Sequence, residues 1–406
     1  MTPLPYSARP GVLLAALSTV NLLNFVDRQM LYAVFPAIKE ELGLRDAQLG
    51  LAASAFIVVY MVVTPVAGIL GDRLRRLPVV AASVALWSAA TLLSGAARSF
   101  SGLLLGRGLV GVGEASYAPL SVAMISDAFP ESRRGSSLAV FNLAVPVGSA
   151  LGYVLGGLIA AHFGWRTAFY VVGVPGLAMG ATMLALVEPT RGAMDHDPSA
   201  FSQRSLSGLL ADPVYAVTTA AMAALTFVLG ALAAWMPTFL VRLHGQSIGT
   251  AGATFGILTA LTGLVGTMLG GWIGDRAFRR HPAGYLWLSG FGLLMAAPAA
   301  AVAIVAERPE VFWSATALAE VLVFLNVGPL NAVIVGVAAP AIRATAVAVN
   351  ILCLHLFGDA LSPWVVGALS DRFGLRAALA IMPPMLLLSG GLCLAAGRFV
   401  TRNGRR

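Results

Sequence analysis

Residues 107–120 read RGLVGVGEASYAPL, and this stretch decides how the chain is read. It sets Arg107 and Glu114 inside a long apolar run. Their spacing of seven is two helical turns less about 20°, so both side chains point the same way. Each such charge costs about 2.5–3.5 kcal/mol at the centre of a bilayer. A membrane helix that carries both must face a bundle interior or a wet cavity. Gly106, Gly108, Gly111 and Gly113 thin the same helix and let a neighbour approach. Pro119 weakens its backbone just past the acid.

The rest of the chain supplies the setting. Of its 406 residues 58% are hydrophobic and only 11% charged, which excludes a soluble globular domain. Apolar segments long enough to span about 30 Å of hydrocarbon run near 11–37, 46–71, 77–97, 100–127, 135–162, 166–187, 213–241, 246–274, 283–306, 310–339, 344–370 and 375–397. The first contains Asp27 and Arg28 and lacks a cleavage site of the signal-peptide kind. Lys and Arg are denser in alternate short loops. That bias expects both termini in the cytoplasm of a cell (inner) membrane, with RFVTRNGRR as a basic anchor. The net charge of +8 is spread over separate loops, which speaks against a nucleic-acid partner. Cys353 and Cys393 sit inside apolar segments as small hydrophobes. No metal site or cofactor is expected.

The chain repeats once. GILGDRLRR (68–76) recurs as GWIGDRAFRR (271–280), with Asp72 and Asp275 lying 203 positions apart. Pro36, Gly43 and Gly50 match Pro237, Gly245 and Gly252; Gly164 and Arg166 match Gly374 and Arg376 at an offset of 210. The organisation expected is a six-helix bundle over 1–187, a cytoplasmic linker over 188–212 and a second six-helix bundle over 213–406. Transporters built from such parallel repeats hold substrate near the membrane midplane.

These residues carry a resemblance. The doubled Gly-x-x-x-Asp-Arg loop resembles the signature of the major facilitator superfamily, and Arg107 with Gly111 and Gly113 is similar to that family's helix-four motif. More narrowly, NFVDRQ (24–29), YMVVTPVAGILGDR (60–73), GEASYAPL (113–120) and RRGSSLAVFNLAVPVGSALGYVLGG (133–157) look like the spinster branch. The resemblance implies an all-α membrane protein of twelve helices in two pseudo-symmetric bundles. It implies a secondary transporter working by alternating access, proton-coupled, and carrying a lysolipid- or sphingolipid-like amphiphile. A carrier of small organic anions, or a drug/proton antiporter, is the alternative. Gly148, Gly152, Gly156 and Gly157 resemble the exporter run of the superfamily, but Tyr153 replaces its proline. An intramembrane enzyme lacks a suitable acid–His pairing, and a channel fits the doubled loop poorly.

Within that frame Asp27 and Glu114 are the candidate proton carriers. Arg28 and Arg107 are ion-pair partners or seats for an anionic head group, since guanidinium grips phosphate or carboxylate with two bonds. Asn24, Tyr60, Tyr117 and Asn142 are further polar candidates. The second half lacks this cluster: Asp27 maps near Leu229 and Glu114 near Phe324. Glu320 and the His355/Asp359 pair could widen the polar cavity there or give a second proton step, beside an apolar lining from Phe227, Trp235, Phe324 and Phe357. Asp72, Arg73, Arg76, Asp127, Arg133, Arg134, Asp275 and Arg276 are read as a cytoplasmic gate latch. The expected partners are protons, the substrate and the bilayer, and the expected state is a monomer.

Overall fold

The computed structural model describes residues 10–191, 206–338 and 343–402. Most of the expected linker and the end of the basic tail lie outside the described residues. So does the side chain of Asp72.

Apolar composition and length make every long element a helix, because only helices satisfy their own backbone in lipid without closing a barrel. The helices are α1 (Pro10–Ala33), α2 (Asp46–Arg73), α3 (Arg76–Gly95), α4 (Phe100–Ala128), α5 (Ser136–Phe163) and α6 (Trp165–Met183), then α7 (Pro213–His244), α8 (Ile248–Arg280), α9 (Gly284–Val305), α10 (Pro309–Val337), α11 (Ala346–Phe373) and α12 (Leu375–Thr401). Eleven are long and apolar enough to cross a membrane, and α6, of 19 residues, stands where the sixth crossing is expected. Val62, Leu264, Met268 and Trp272 are each more than half exposed, as side chains facing lipid would be.

Several spans are broken, and prolines place the breaks. A proline ring clashes with the carbonyl four residues earlier and leaves it without its N–H partner. Pro119 stands four residues after Ala115, where α4 breaks, and Pro329 four after Leu325, where α10 breaks. In α5 the helical run ends at Asn142, four before Pro146. In α11 a π-helical turn spans His355–Asp359, and Pro363 follows.

Contacts divide the chain into two compact units. One comprises Met1–Ser199 with Leu240–Gly256; the other comprises Ala200–Phe239 with Ile257–Arg406. The first unit thus takes in the hairpin between α7 and α8. Inside each unit the same packing recurs: α3 lies on α6 and α4 in the first, and α9 lies on α12 and α10 in the second. The backbone repeats too. The four described residues with positive φ are Gly43 (62°) with its repeat mate Gly245 (63°), and Gly164 (81°) with its mate Gly374 (82°). A side chain resists that left-handed region, so glycine is required at both turns of both repeats.

Glycines also set the close approaches around α1 and α4. A Cβ on Gly111 would lie 2.5 Å from the Phe56 carbonyl oxygen of α2, and one on Gly113 would lie 2.6 Å from the Trp87 nitrogen of α3. Gly148 and Gly152 of α5 meet the carbonyls of Leu22 and Val26 on α1 at 2.8 and 2.6 Å by the same measure. These contacts seat α4 against α2 and α3, and α5 against α1.

Candidate functional site

Asp27 and Arg28 are neighbours on α1, so their side chains leave the helix about 100° apart and cannot share one partner easily. They pair crosswise with α4. Arg107 Nη1 reaches Asp27 Oδ1 at 3.4 Å, and Arg28 reaches Glu114 Oε2 through Nη2 at 2.6 Å and Nε at 2.8 Å. What the sequence presents as a single cluster of four charges is two neutral pairs. The Thr91 hydroxyl of α3 donates to Asp27 Oδ2 at 2.5 Å. The Phe56 ring of α2 stands between the pairs, 4.7 Å from the Arg28 guanidinium carbon and 5.5 Å from that of Arg107. Cations are attracted to ring faces at this range, so Phe56 supports both guanidiniums.

The two pairs differ in access. Asp27, Arg107 and Glu114 are each 1% exposed in their side chains, whereas Arg28 is 25% exposed. Arg28 also touches the rings of Phe25 and Tyr60, at 5.2 and 5.4 Å. Asn24 stands beside Glu114, yet no well-aligned bond joins them: Asn24 Nδ2, Glu114 Oε1 and Arg107 Nε are buried without a hydrogen-bond partner. Buried polar atoms left in this way call for an explanation in function or water. Tyr117 is placed otherwise. Its hydroxyl donates to the Leu17 carbonyl and its ring packs edge-on against Trp87, so it fastens α4 to α1. Asn142 is exposed at the break in α5. Tyr60 flanks Arg28 rather than an acid.

In the second unit, Glu320 is buried on α10 and bonded by Thr259 and Thr262 of α8, at 3.1 and 2.5 Å. His355 Nδ1 lies 2.9 Å from Asp359 Oδ1 across the π-helical turn, and both are about a quarter exposed. These three do not converge: Glu320 bonds to α8, while Asp359 packs against Gly230 of α7. The expected aromatic lining is also dispersed. Trp235 is fully buried and donates to the Pro363 carbonyl, Phe227 is buried, Phe324 rests against Gly266, and Phe357 is 58% exposed.

At the signature-loop end, Arg76 at the start of α3 pairs with Asp127 at the end of α4. The link joins α3 to α4. Glu188 adds a contact that the sequence reading missed: its carboxylate accepts from the backbone nitrogens of Arg76 and Leu77 at 2.8 and 3.3 Å, capping α3. Arg134 donates to the Ser126 carbonyl at 3.0 Å, while Arg73, Arg133 and Arg276 are exposed. Asp275 accepts from the Tyr285 hydroxyl at 2.7 Å. At the opposite end of the first unit, Asp46 is buried between Lys39 at 2.6 Å and a two-bond contact with Arg242 at 2.6 and 2.7 Å. Sequence reasoning missed Asp46, Thr91 and Phe56. Only Asp46 gave a signal, as an acid with basic residues nearby.

The comparisons identify what such an arrangement belongs to. Residues 17–363 match the Major Facilitator Superfamily profile. Protein spinster homolog 1 of Bos taurus is 36% identical over 392 residues, spanning 90% of this chain and 74% of the relative. The chain belongs to the spinster family of the major facilitator superfamily. Its spinster relatives extend to the Homo sapiens homolog 1, 34% identical over 90% of this chain and 74% of that one. Among solved structures, a bacterial homologue of the human lysosomal transporter spinster, inward-facing and unoccupied, superposes with a TM-score of 0.90. It is 26% identical and covers 97% of this chain and 98% of its own. This spinster-family protein is therefore a multi-pass membrane transporter, and its crosswise charge pairs lie on α1 and α4, two of the helices that carry the spinster-like sequence.

Proposed function

We propose that the chain is a proton-coupled transporter of an amphiphile of lysolipid or sphingolipid type, working by alternating access between its two six-helix halves, 1–187 and 213–406, joined by the linker 188–212. The observation that carries this is the unequal exposure of the crosswise pairs. When Glu114 takes a proton, Arg28 is released at a part-exposed position that three aromatic rings cushion. Protonating Asp27 instead strands the sealed Arg107, which costs several kcal/mol unless a new anion arrives. Glu114 thus exchanges the proton readily, and Asp27 yields its own when an anionic group reaches Arg107. Arg28 and Arg107 then serve the head group, with Asn24 and Tyr60 beside them. The buried, unpartnered Arg107 Nε equally suits a small organic anion, which keeps that second reading open.

His355 and Asp359 supply a polar, part-exposed site in the second half. The paired Arg76 and Asp127 carry the cytoplasmic gate of the first unit, with Arg73, Arg133 and Arg134 assigned to it and Asp275 and Arg276 assigned to its counterpart in the second; Asp72 joins the proposal from the sequence alone. In this reading both termini lie in the cytoplasm at the inner membrane, as the bias of Lys and Arg among the loops supports, and the working unit is a monomer. The test uses proteoliposomes holding a pH-sensitive dye. Addition of a lysophospholipid should move protons in the wild type and not in Glu114→Gln. Proton movement driven by a short organic anion but not by the lysophospholipid would favour the second reading. Proton movement by neither, alongside measurable lysophospholipid uptake, would overturn coupling.

A further inference from the structure

Glu320 has chemistry that the reading above does not use. Its side chain is 1% exposed, on a membrane-spanning helix. The adjoining cavity, about 30 Å³, is lined by Val228 and Leu232 of α7, Ala300 and Ala303 of α9 and Leu386 of α12. Such a volume could admit a water, but an apolar wall gives that water too few partners to stay. Glu320 is the one ionisable residue in the lining. Across α8, the element that bonds it, the facing groups are the uncharged Thr259 and Thr262. Among the described residues no Lys, Arg or His forms an ion pair with it. This differs from Asp27 and Glu114, each of which faces a guanidinium.

The hydrogens can be counted. A threonine hydroxyl has one to give. Thr259 donates to Glu320 Oε1 at 3.1 Å. Thr262 Oγ1 lies 2.9 Å from the Leu258 carbonyl and 2.5 Å from Glu320 Oε2. Its single hydrogen can serve only one of those acceptors. If it goes to Leu258, the short contact to Oε2 needs a hydrogen from the carboxyl itself. A neutral Glu320 then completes the set: Oε1 accepts from Thr259, Oε2 donates to Thr262, and Thr262 donates to Leu258. An ionised Glu320 leaves the Leu258 bond unmade and places an unpaired charge in a dry apolar wall, the costlier arrangement.

We propose that Glu320 is a second proton-binding site, carried within the second unit and independent of the Asp27 and Glu114 pairs. The proton sits on Oε2 against Thr262. Separation of α8 from α10 would remove both threonine partners and let water take it.

Infrared spectra of the full chain in nanodiscs, recorded against pH, test this. The expected result is a neutral carboxylic C=O band at pH 6 that disappears reversibly as the pH is raised. It should be absent in Glu320→Gln, shifted in Thr262→Val and retained in Glu114→Gln. Glutamine preserves the neutral hydrogen-bond set, and the Thr262→Val shift gives an independent readout should Glu320→Gln not fold. No Glu320-dependent band at any pH would overturn the proposal. So would a band that ignores pH while the protein stays folded. A sodium-dependent thermal shift abolished in Glu320→Gln would make this a metal-cation site instead. Because the Glu114 pair is read separately, failure here leaves the transport reading intact, and loss of coupling at Glu114 leaves this band in place.

Discussion

Arg28 and Glu114, 86 residues apart in sequence, meet at 2.6 Å with unequal exposure, 25% against 1%. The cation of the pair is part-exposed and the acid is sealed. On the proposed reading, a proton arriving at Glu114 changes the charge of a buried wall and releases the part-exposed member of the pair. Glu114→Gln should retain the fold and reduce pH-gradient-driven flux at least about tenfold, the equivalent of 1.4 kcal/mol. Lysophospholipid counterflow, which needs no gradient, should persist. Loss of both would point to a structural pair.

The sealed pair behaves differently. Arg107→Ala leaves Asp27 with Thr91 alone and should cost about 3–5 kcal/mol, since it strands a buried charge. The double variant with Asp27→Asn should recover part of that loss. Thermal unfolding of the single and double variants gives the coupling energy. Additive losses would mean that the 3.4 Å contact contributes nothing.

Two glycines predict opposite outcomes for one kind of substitution. Gly152→Ala drives a Cβ to 2.6 Å from the Val26 carbonyl, beside Asp27, and should destabilise by about 1–3 kcal/mol. Gly108→Ala meets nothing closer than 3.9 Å and should be neutral or stabilise by up to about 1 kcal/mol. Equal effects on the unfolding temperature would discount the role of α5 in seating α1.

At the end opposite the signature loops, Glu41 holds Trp165 Nε1 at 2.7 Å and pairs with Arg166. The Trp165 hydrogen bond, then the one from Arg166, lowers its pKa below the ordinary 4.5. With the folded value depressed, the stabilisation is fully present above the unfolded value and disappears as pH falls through the folded one. The stability difference between wild type and Glu41→Gln should be constant above about pH 5.5 and shrink below 4.5. The carboxylate is largely exposed, so the effect is small. A difference that grew on acidification would contradict the assignment.

Arg76 and Asp127 join α3 to α4 beside the signature loop. Asp127→Asn should change the balance of states that a cysteine-accessibility assay reports. Exchanging the two, Arg76→Asp with Asp127→Arg, should restore it in part. An unchanged accessibility pattern in the single variant would remove this pair from gating.

Much of this was legible in the chain itself. The repeat of the Asp-Arg loop and the mated glycines at 43/245 and 164/374 define two like halves, because only glycine sits easily at positive φ. Pro119 foretells the break in α4, whereas the break in α10 before Pro329 was found only in the structure. Charges sunk in apolar helices single out Asp27, Arg28, Arg107 and Glu114 as candidates, since hydrocarbon tolerates them only for a reason. Periodicity also puts Arg107 and Glu114 on one face.

Which side chain meets which was settled only by tertiary structure. Helical spacing says where a residue points and not which helix stands opposite. The pairing of Asp27 with Arg107 and of Arg28 with Glu114 depends on glycine contacts that seat α4 against α2 and α3 and α5 against α1, and those contacts join residues far apart in sequence. Thr91, Phe56 and the two threonines around Glu320 are ordinary residues in apolar runs, and nothing in their own segments marks them. Packing makes them partners, because a buried charge or acid takes its character from whatever the neighbouring helices bring within 3 Å.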